Sequence, residues 1–255
     1  MKRDTVVSVI IPAHNEAECI GQVVDDLKAF ALHSDLDVGW EILVVDNGST
    51  DTTSQVACDH GAVVIAEPRL GYGQACWRGI EECLGDILLF VDGDGAVDVL
   101  DIKSVLYELT QGADLVIGVR SWAEPGSMTL AQRAGNWLAC FLIRALWGYP
   151  VRDLGPLRAI HKETLQQLNM FDRDYGWTIE MQLNAYSRGL CVVDVPVHWL
   201  SRISGQSKIG GTLKGVFLAG RDIIGTIFKL WWRQHRNASL SRHSKLSSQP
   251  ISKEI

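Results

Sequence analysis

Long apolar runs, paired cysteines and nucleic-acid motifs are missing from this 255-residue sequence, and each absence removes a class of protein. No stretch reaches the roughly 18 apolar residues that a membrane-spanning helix needs. The opening "MKRDTVVSVIIPAHNE" is apolar for only six residues before a proline, too short for the core of a secretory signal. The six cysteines, Cys19, Cys58, Cys76, Cys83, Cys140 and Cys191, include no C-x-x-C pair. That spacing fits neither a zinc site nor a disulfide framework, so the expectation is reduced, mostly buried thiols in a cytosolic protein. No internal repeat is present. What remains is the composition of a globular chain, 47% hydrophobic and 21% charged, long enough to bury a sizeable core.

Positive charge is scarce in the body and crowded at the end. Residues 1–201 carry 14 Lys and Arg against 28 Asp and Glu, net −14; residues 202–255 carry 10 against 2, net +8. A basic end on an acidic body points to an anionic partner surface, membrane or nucleic acid. No aromatic-studded strand platform or binding motif accompanies the charge, which argues against nucleic acid. On a helical wheel of 212–233, Leu213, Val216, Phe217, Ile223, Ile224, Ile227, Phe228 and Trp231 share one side. Lys214, Arg221, Lys229 and Arg233 lie on the other, with Asp222. Such a helix suits the plane of an anionic bilayer; docking on the protein's own core is the equal alternative. The Ser-rich 234–255 is expected to be a disordered tail.

Periodicity organises the rest. "VVSVIIPA", "WEILVVDNGS", "AVVIAE" and "DILLFVD" are short β-branched or apolar runs closed by turn residues, as buried strands should be. Helical faces separate them, so the first 100 residues predict βαβ units and a parallel sheet. "VDVLDIKSVLYELTQG" continues as helix and "ADLVIGVR" as strand. "SMTLAQRAGNWLACFLIRALWG" then reads as a long apolar helix in which Arg144 and length exclude a span; a core helix and a greasy track for a ligand both fit it. In such sheets ligands bind outside the carboxyl ends of the strands. Asp46, Asp92 with Asp94, and Arg120 all fall at such ends and should converge on one rim.

The stretch "ILLFVDGDGAVD", residues 87–98, is the sharpest local signal. A buried strand runs into Asp92, Asp94 and Asp98 on glycine-rich backbone. Like charges this close repel and raise one another's pKa. A solvated turn is one reading; the other is a hard divalent cation, which takes carboxylate oxygens and is commonly shared with phosphates.

Taken in order, "VSVIIPAHNEAECI", "EILVVDNGSTDTT", "RLGYGQACWRGI", "LLFVDGDG", "DLVIGVRS", "RDLGPLRAI", "GWTIEMQLNA" and "RISGQSKI" resemble the family-two glycosyltransferases of the GT-A fold. The later half resembles the dolichyl-phosphate mannose synthase branch, which acts on polyprenyl phosphates. The resemblance spans about residues 6–210 and implies an α/β, Rossmann-like, mostly parallel sheet over 1–211; the 212–233 helix read from the wheel follows it. It implies a metal-dependent, inverting transfer from a GDP- or UDP-linked sugar to a polyprenyl phosphate, and the basic amphipathic end adds the expectation of a place peripheral to the cytosolic face of a membrane. Asp92 and Asp94 would hold Mn²⁺ or Mg²⁺ against the diphosphate, with Gly93 between them. Pro12, Ala13, Glu16 and Asp46 would line the nucleoside pocket, Asp46 facing the base, with the loop around Gly73 beside it. Arg120 and Arg133 would bind the acceptor phosphate, and Arg202 with Lys208 the donor diphosphate on a closing loop. Asp153 and Glu180 also match the family pattern, although ion pairing with Arg152 or Arg158 suits them as well.

Two departures stand out. Where the family often has a polar residue after the second metal carboxylate, this chain has Ala96, leaving water or Asp98 to complete the coordination. Many relatives carry transmembrane helices after the catalytic domain, and none is seen here. Two further readings stay open: a hydroxyl acceptor with Asp153 as general base, and a nucleotide-sugar-binding subunit without catalysis. The pattern leaves oligomeric state open.

Overall fold

The computed structural model describes residues 5–125, 127–202 and 223–233. β1 (Val6–Ala13), β2 (Gly39–Asp46), β3 (Val63–Ala66) and β4 (Ile87–Phe90) alternate with α1 (Ile20–His33), α2 (Thr53–Asp59) and α3 (Tyr72–Glu82). These four strands are parallel, because each crossover helix returns the chain to the edge where the last strand began. With β5 (Leu115–Ala123), β6 (Arg158–His161) and β7 (Val192–Trp199), the sheet order is β3-β2-β1-β4-β6-β5-β7. The order reverses between β1 and β4, and that switch point opens a crevice above the strands' carboxyl ends.

Among the described strands only β6 runs antiparallel to both its neighbours. It follows α5 (Leu130–Trp147) and the irregular segment 148–157, so it enters the sheet from the rim that the other strands run toward. Strand composition carries no sign of this reversal; the path of the chain decides it.

The sheet is covered on both faces, which is why its inner strands are continuously apolar. Val7, Val9 and Ile11 face Val23, Val24 and Leu27 of α1 and Ile102, Val105 and Leu106 of α4 (Asp101–Thr110). Ile10, Leu43 and Val45 face Ala75, Cys76 and Ile80 of α3, Leu165 of the short α6 (Lys162–Gln167), and Trp177 and Met181 of α7 (Trp177–Ser187). All six cysteines are free thiols, four buried and two, Cys58 and Cys191, exposed.

A third cluster joins α5, α7 and a helix at 223–233, through Ala139, Cys140, Ile143, Ile179, Leu183, Ile227 and Leu230. This corrects the wheel reading of that helix. Ile227 and Leu230 are buried against the protein's own core, while Phe228, assigned to the same apolar side as Ile227, is exposed. The first half of the expected 212–233 helix, Lys208 and the Ser-rich tail lie outside the described residues. α5 starts at a capping box: the Thr129 hydroxyl accepts the Gln132 N–H, and the Gln132 side chain accepts the Thr129 N–H. It stops at Gly148, whose φ of 74° is the left-handed conformation of a helix end. One face of α5 is core and the opposite face is open to solvent. Among the described residues no helix is long and apolar enough to cross a membrane.

Candidate active site

The aligned strand ends build the site floor. In register, Ala13 sits beside Asp46 and Phe90 beside Ile10, so the turn after β4 rises next to Pro12. Above it lies a cleft of about 1180 Å³. Pro12, Ala13, His14, Glu16, Asn47, Leu70, Gly71 and Tyr72 wall one half, and Asp92, Gly93, Asp94 and Ala96 form the floor. Arg120, Trp199 and Arg202 stand at the middle. The far half is walled by Met128, Ala131, Gly135, Asn136 and Ala139 at and along α5, Thr178 and Ile179 of α7, and Ile223, Ile224 and Gly225.

The two carboxylates are held differently. Asp94, 4% exposed, accepts the Ala96 N–H at 3.0 Å on one oxygen and pairs with Arg202 at 2.7 Å through the other. Asp92 accepts the Tyr72 hydroxyl at 3.2 Å. Burial, and then the neighbouring Asp94 charge, push the Asp92 carboxyl up to about 7. A pair of recessed carboxylates facing a cleft, one of them pushed toward its neutral form by burial and by the other, suits a hard divalent cation, which offsets both. The residues therefore fit Mn²⁺ or Mg²⁺. Ala96 contributes no side-chain ligand. Asp98 does not supply it either: its carboxylate accepts the Leu100 N–H at 2.9 Å and groups with Asp101 and His198, none of which lines the cleft.

Arg120 and Asp153 form a locked pair. One Asp153 oxygen accepts the Arg120 backbone N–H at 2.8 Å and its Nε–H at 2.9 Å; the other accepts Nη2–H at 2.6 Å and the Leu154 N–H at 2.8 Å. Burial raises the Asp153 carboxyl, but the Arg120 guanidinium more than offsets it and holds the group below its ordinary value. The side chains are 4% and 15% exposed for Asp153 and Arg120. Arg120 reaches the cleft and Asp153 stays behind it, orienting the guanidinium and occupied as an acceptor. Arg120 also lies over the Trp199 ring, 5.3 Å from its centroid.

Other expected site residues are placed elsewhere. Asp46 is not on the cleft wall. Its carboxylate accepts the Ser49 N–H at 2.9 Å and the Ser54 hydroxyl, fixing the loop after β2. Its neighbour Asn47 takes the wall position. It donates to the Glu67 and Arg69 carbonyls and accepts the Gly71 N–H at 2.8 Å. Gly73 is small for packing reasons: a Cβ there would sit 2.9 Å from Trp177 Cβ and 2.8 Å from the Arg173 carbonyl carbon. Arg133 is exposed on α5 and absent from the cleft wall, because Ala131, Gly135 and Ala139 define the inward face and Arg133 falls on another. Glu180 accepts the Phe171 and Asp172 N–H groups at 2.8 and 2.7 Å. It pairs with neither Arg152 nor Arg158, and instead fixes the loop that brings Asp174 and Tyr175 to the cleft.

The sequence reading passed over Tyr72, Asn47 and Trp199. Tyr72 had a signal, standing inside the "LGYGQA" motif; Trp199 is brought in only by the pairing of β7 with β5.

A switch-point cleft with a recessed carboxylate pair and flanking arginines defines a nucleotide-sugar transferase of GT-A architecture. Comparison with known proteins agrees. Residues 8–165 match the model of glycosyl transferase family 2, and the chain belongs to that family. An uncharacterized glycosyltransferase of Mycobacterium tuberculosis is 35% identical over 216 residues, covering 85% of this chain and 95% of the relative. Glycosyltransferase AglJ of Haloferax volcanii is 32% identical over 210 residues, covering 81% and 67%. Among solved structures, glucosyl-3-phosphoglycerate synthase from M. tuberculosis, in complex with Mn²⁺, UDP-glucose and phosphoglyceric acid, superposes with a TM-score of 0.70 at 26% identity. That match covers 89% of this chain and 79% of that one. The chain is thus an enzyme of the hexosyltransferase kind, which sets aside the non-catalytic subunit.

Proposed function

We propose that this glycosyltransferase moves a sugar from a nucleotide diphosphate donor to a polyprenyl phosphate, with inversion, at the cytosolic face of a membrane. The observation that carries the reading is the second half of the cleft. Beyond Arg120 it is walled mainly by Met128, Ala131, Ala139, Ile179, Ile223 and Ile224, with Gln132, Asn136 and Thr178 among them, a mostly apolar path that suits an isoprenoid chain whose phosphate lies at the guanidinium. The cleft exceeds the roughly 300–1,000 Å³ of a single small-ligand site, so donor and acceptor fit together.

Residue roles follow from that placement. Pro12, Ala13, Glu16 and Asn47 take the nucleoside, while Asp92 and Asp94 would hold the cation. When bound, the cation neutralises charge growing on the leaving diphosphate. Arg202, with Lys208 from the adjoining segment, shares that task, and Arg's planar fork suits phosphate oxygens. Arg120 aims the acceptor phosphate. A phosphate is already anionic at neutral pH and needs no proton removed, whereas a hydroxyl does. Asp153, occupied by Arg120, is a poor base, which also supports the phosphate acceptor.

The second reading is favoured by the solved relatives: glucosyl-3-phosphoglycerate synthase was captured with phosphoglyceric acid, so a small phosphorylated hydroxyl acceptor is the rival. The deciding assay supplies UDP- and GDP-hexoses with Mn²⁺ and offers either a long-chain polyprenyl phosphate or 3-phosphoglycerate. Sugar on the lipid is the expected product; sugar on phosphoglycerate alone overturns the proposal. Calorimetry with UDP against GDP then fixes the base.

A further inference from the structure

The outer face of α5 has a composition that neither the cleft nor the core explains. Leu130, Arg133, Trp137, Phe141 and Arg144 recur at spacings of three and four residues, so they form one stripe along the helix. That stripe points away from the buried Ala139 and Ile143, with the buried Cys140 at its edge. Trp137 and Phe141 are 62% and 48% exposed, and they stack on each other with centroids 5.6 Å apart and ring planes 12° apart. Large aromatics are normally withdrawn from water, and an exposed cluster marks an interaction surface. The 223–233 helix, packed on α5 through Ile227 and Leu230, also exposes Phe228 and Trp232, 47% and 58%.

Charge decides what meets this surface. Neither 130–147 nor 223–233 contains an Asp or Glu, in a chain whose net charge is −6. Arg133 and Arg144 flank the aromatic pair, about one turn to either side. Lys229 instead borders the loop holding Asp172 and Asp174, and Arg233 lies over the Phe171 ring at 4.2 Å, so the charge argument rests on the two arginines. A stripe of aromatics between cations, without carboxylates, complements the boundary between anionic headgroups and acyl chains. An acidic protein groove would match the arginines but would leave the stacked rings without an apolar layer to enter.

We propose that the outer stripe of α5 is a docking surface for an anionic lipid bilayer, with Trp137 and Phe141 inserted and Arg133 and Arg144 on headgroup phosphates. The assignment rests on the proposed lipid-linked acceptor. It supplies a reason for the cleft's position, since Ala131, Gly135 and Ala139 of the same helix line the cleft's apolar half. A chain leaving the bilayer beside α5 has only the helix's width to cross. It also gives Arg133, which does not reach the cleft, a role on the outside.

The experiment is vesicle co-sedimentation of the full chain, with vesicles of pure phosphatidylcholine and of equimolar phosphatidylglycerol and phosphatidylcholine. The wild type is expected to bind the anionic vesicles. Trp137→Ser/Phe141→Ser, and separately Arg144→Gln, are expected to weaken that binding, the double variant on the order of tenfold or more. Both variants should keep wild-type calorimetric affinity for UDP or GDP, which confirms folding. Wild-type vesicle binding by the double variant, or no vesicle binding by the wild type, overturns the proposal. So does a wild-type dimer that the double variant splits, because a second copy then covers the stripe. A water-soluble short-chain isoprenyl phosphate separates the two ideas: if the wild type never glycosylates it, the acceptor reading fails independently of docking. If both proteins use it equally and only the wild type uses the vesicle-borne long chain, docking stands.

Discussion

On the donor side of the cleft, Asn47, Tyr72 and Asp92 come from strand ends and a helix start within the first 92 residues, tied by hydrogen bonds between positions 20 to 24 residues apart. On the acceptor side, Arg120, Ala139, Ile179, Trp199 and Ile223 come from five separate segments spanning over a hundred residues. The donor half holds the carboxylate pair and depends on electrostatics; the acceptor half is mostly apolar and depends on how α5, α7 and the 223–233 helix pack. One half is specified by closely spaced motifs and the other by contacts of longer range, so the two should fail in different ways when perturbed.

The largest effect is expected from Asp94→Ala. Removing a carboxylate that would hold the cation costs several kcal/mol, on the order of a thousandfold in Mn²⁺-dependent nucleotide affinity, with an unchanged circular dichroism spectrum. Undiminished binding would dissolve the distinction between an electrostatic donor half and a packed acceptor half.

Asp153→Asn should separate stability from chemistry. It leaves the buried Arg120 guanidinium without its counter-charge, a loss of about 3 kcal/mol in urea unfolding, with a modest loss of kcat. Near-complete loss of kcat at unchanged donor affinity would instead identify Asp153 as a general base. The pH dependence has a definite sign. The folded carboxyl is depressed, so its contribution is fully present above the unfolded value of about 3.9 and disappears as pH falls through the lower folded value. The stability gap between wild type and variant should be flat from neutral pH to about pH 5 and close in stronger acid.

Ile227→Ala probes the acceptor half alone. A fully buried Ile truncated to Ala typically costs about 2–3 kcal/mol. The expected result is slower transfer to long-chain acceptors with unaltered UDP or GDP affinity; equal losses in both would show that the halves are coupled.

Tyr72→Phe is the mildest. Its hydroxyl favours the charged form of Asp92, whereas burial and Asp94 oppose that form. Without it the carboxyl rises further and Mn²⁺ affinity at neutral pH should drop by about 1 kcal/mol, roughly fivefold, as read by calorimetry.

The order of strands and helices through α4, the rim of carboxylates after β4 and the membership of the family were determined by the sequence itself. Each depends on neighbours within a few residues: apolar periodicity, turn residues and the tight Asp-Gly-Asp stretch. Tertiary structure alone decided that β6 runs against the sheet, because nothing within four residues of a strand records the direction of its entry. It decided that Asp46 fastens a loop while Asn47 faces the cleft, since the side that a residue takes after a strand end is set by what it bonds. It also turned Arg133 outward and Ile227 inward. On an amphipathic helix several faces are plausible from composition, and only the neighbours against which it packs select one.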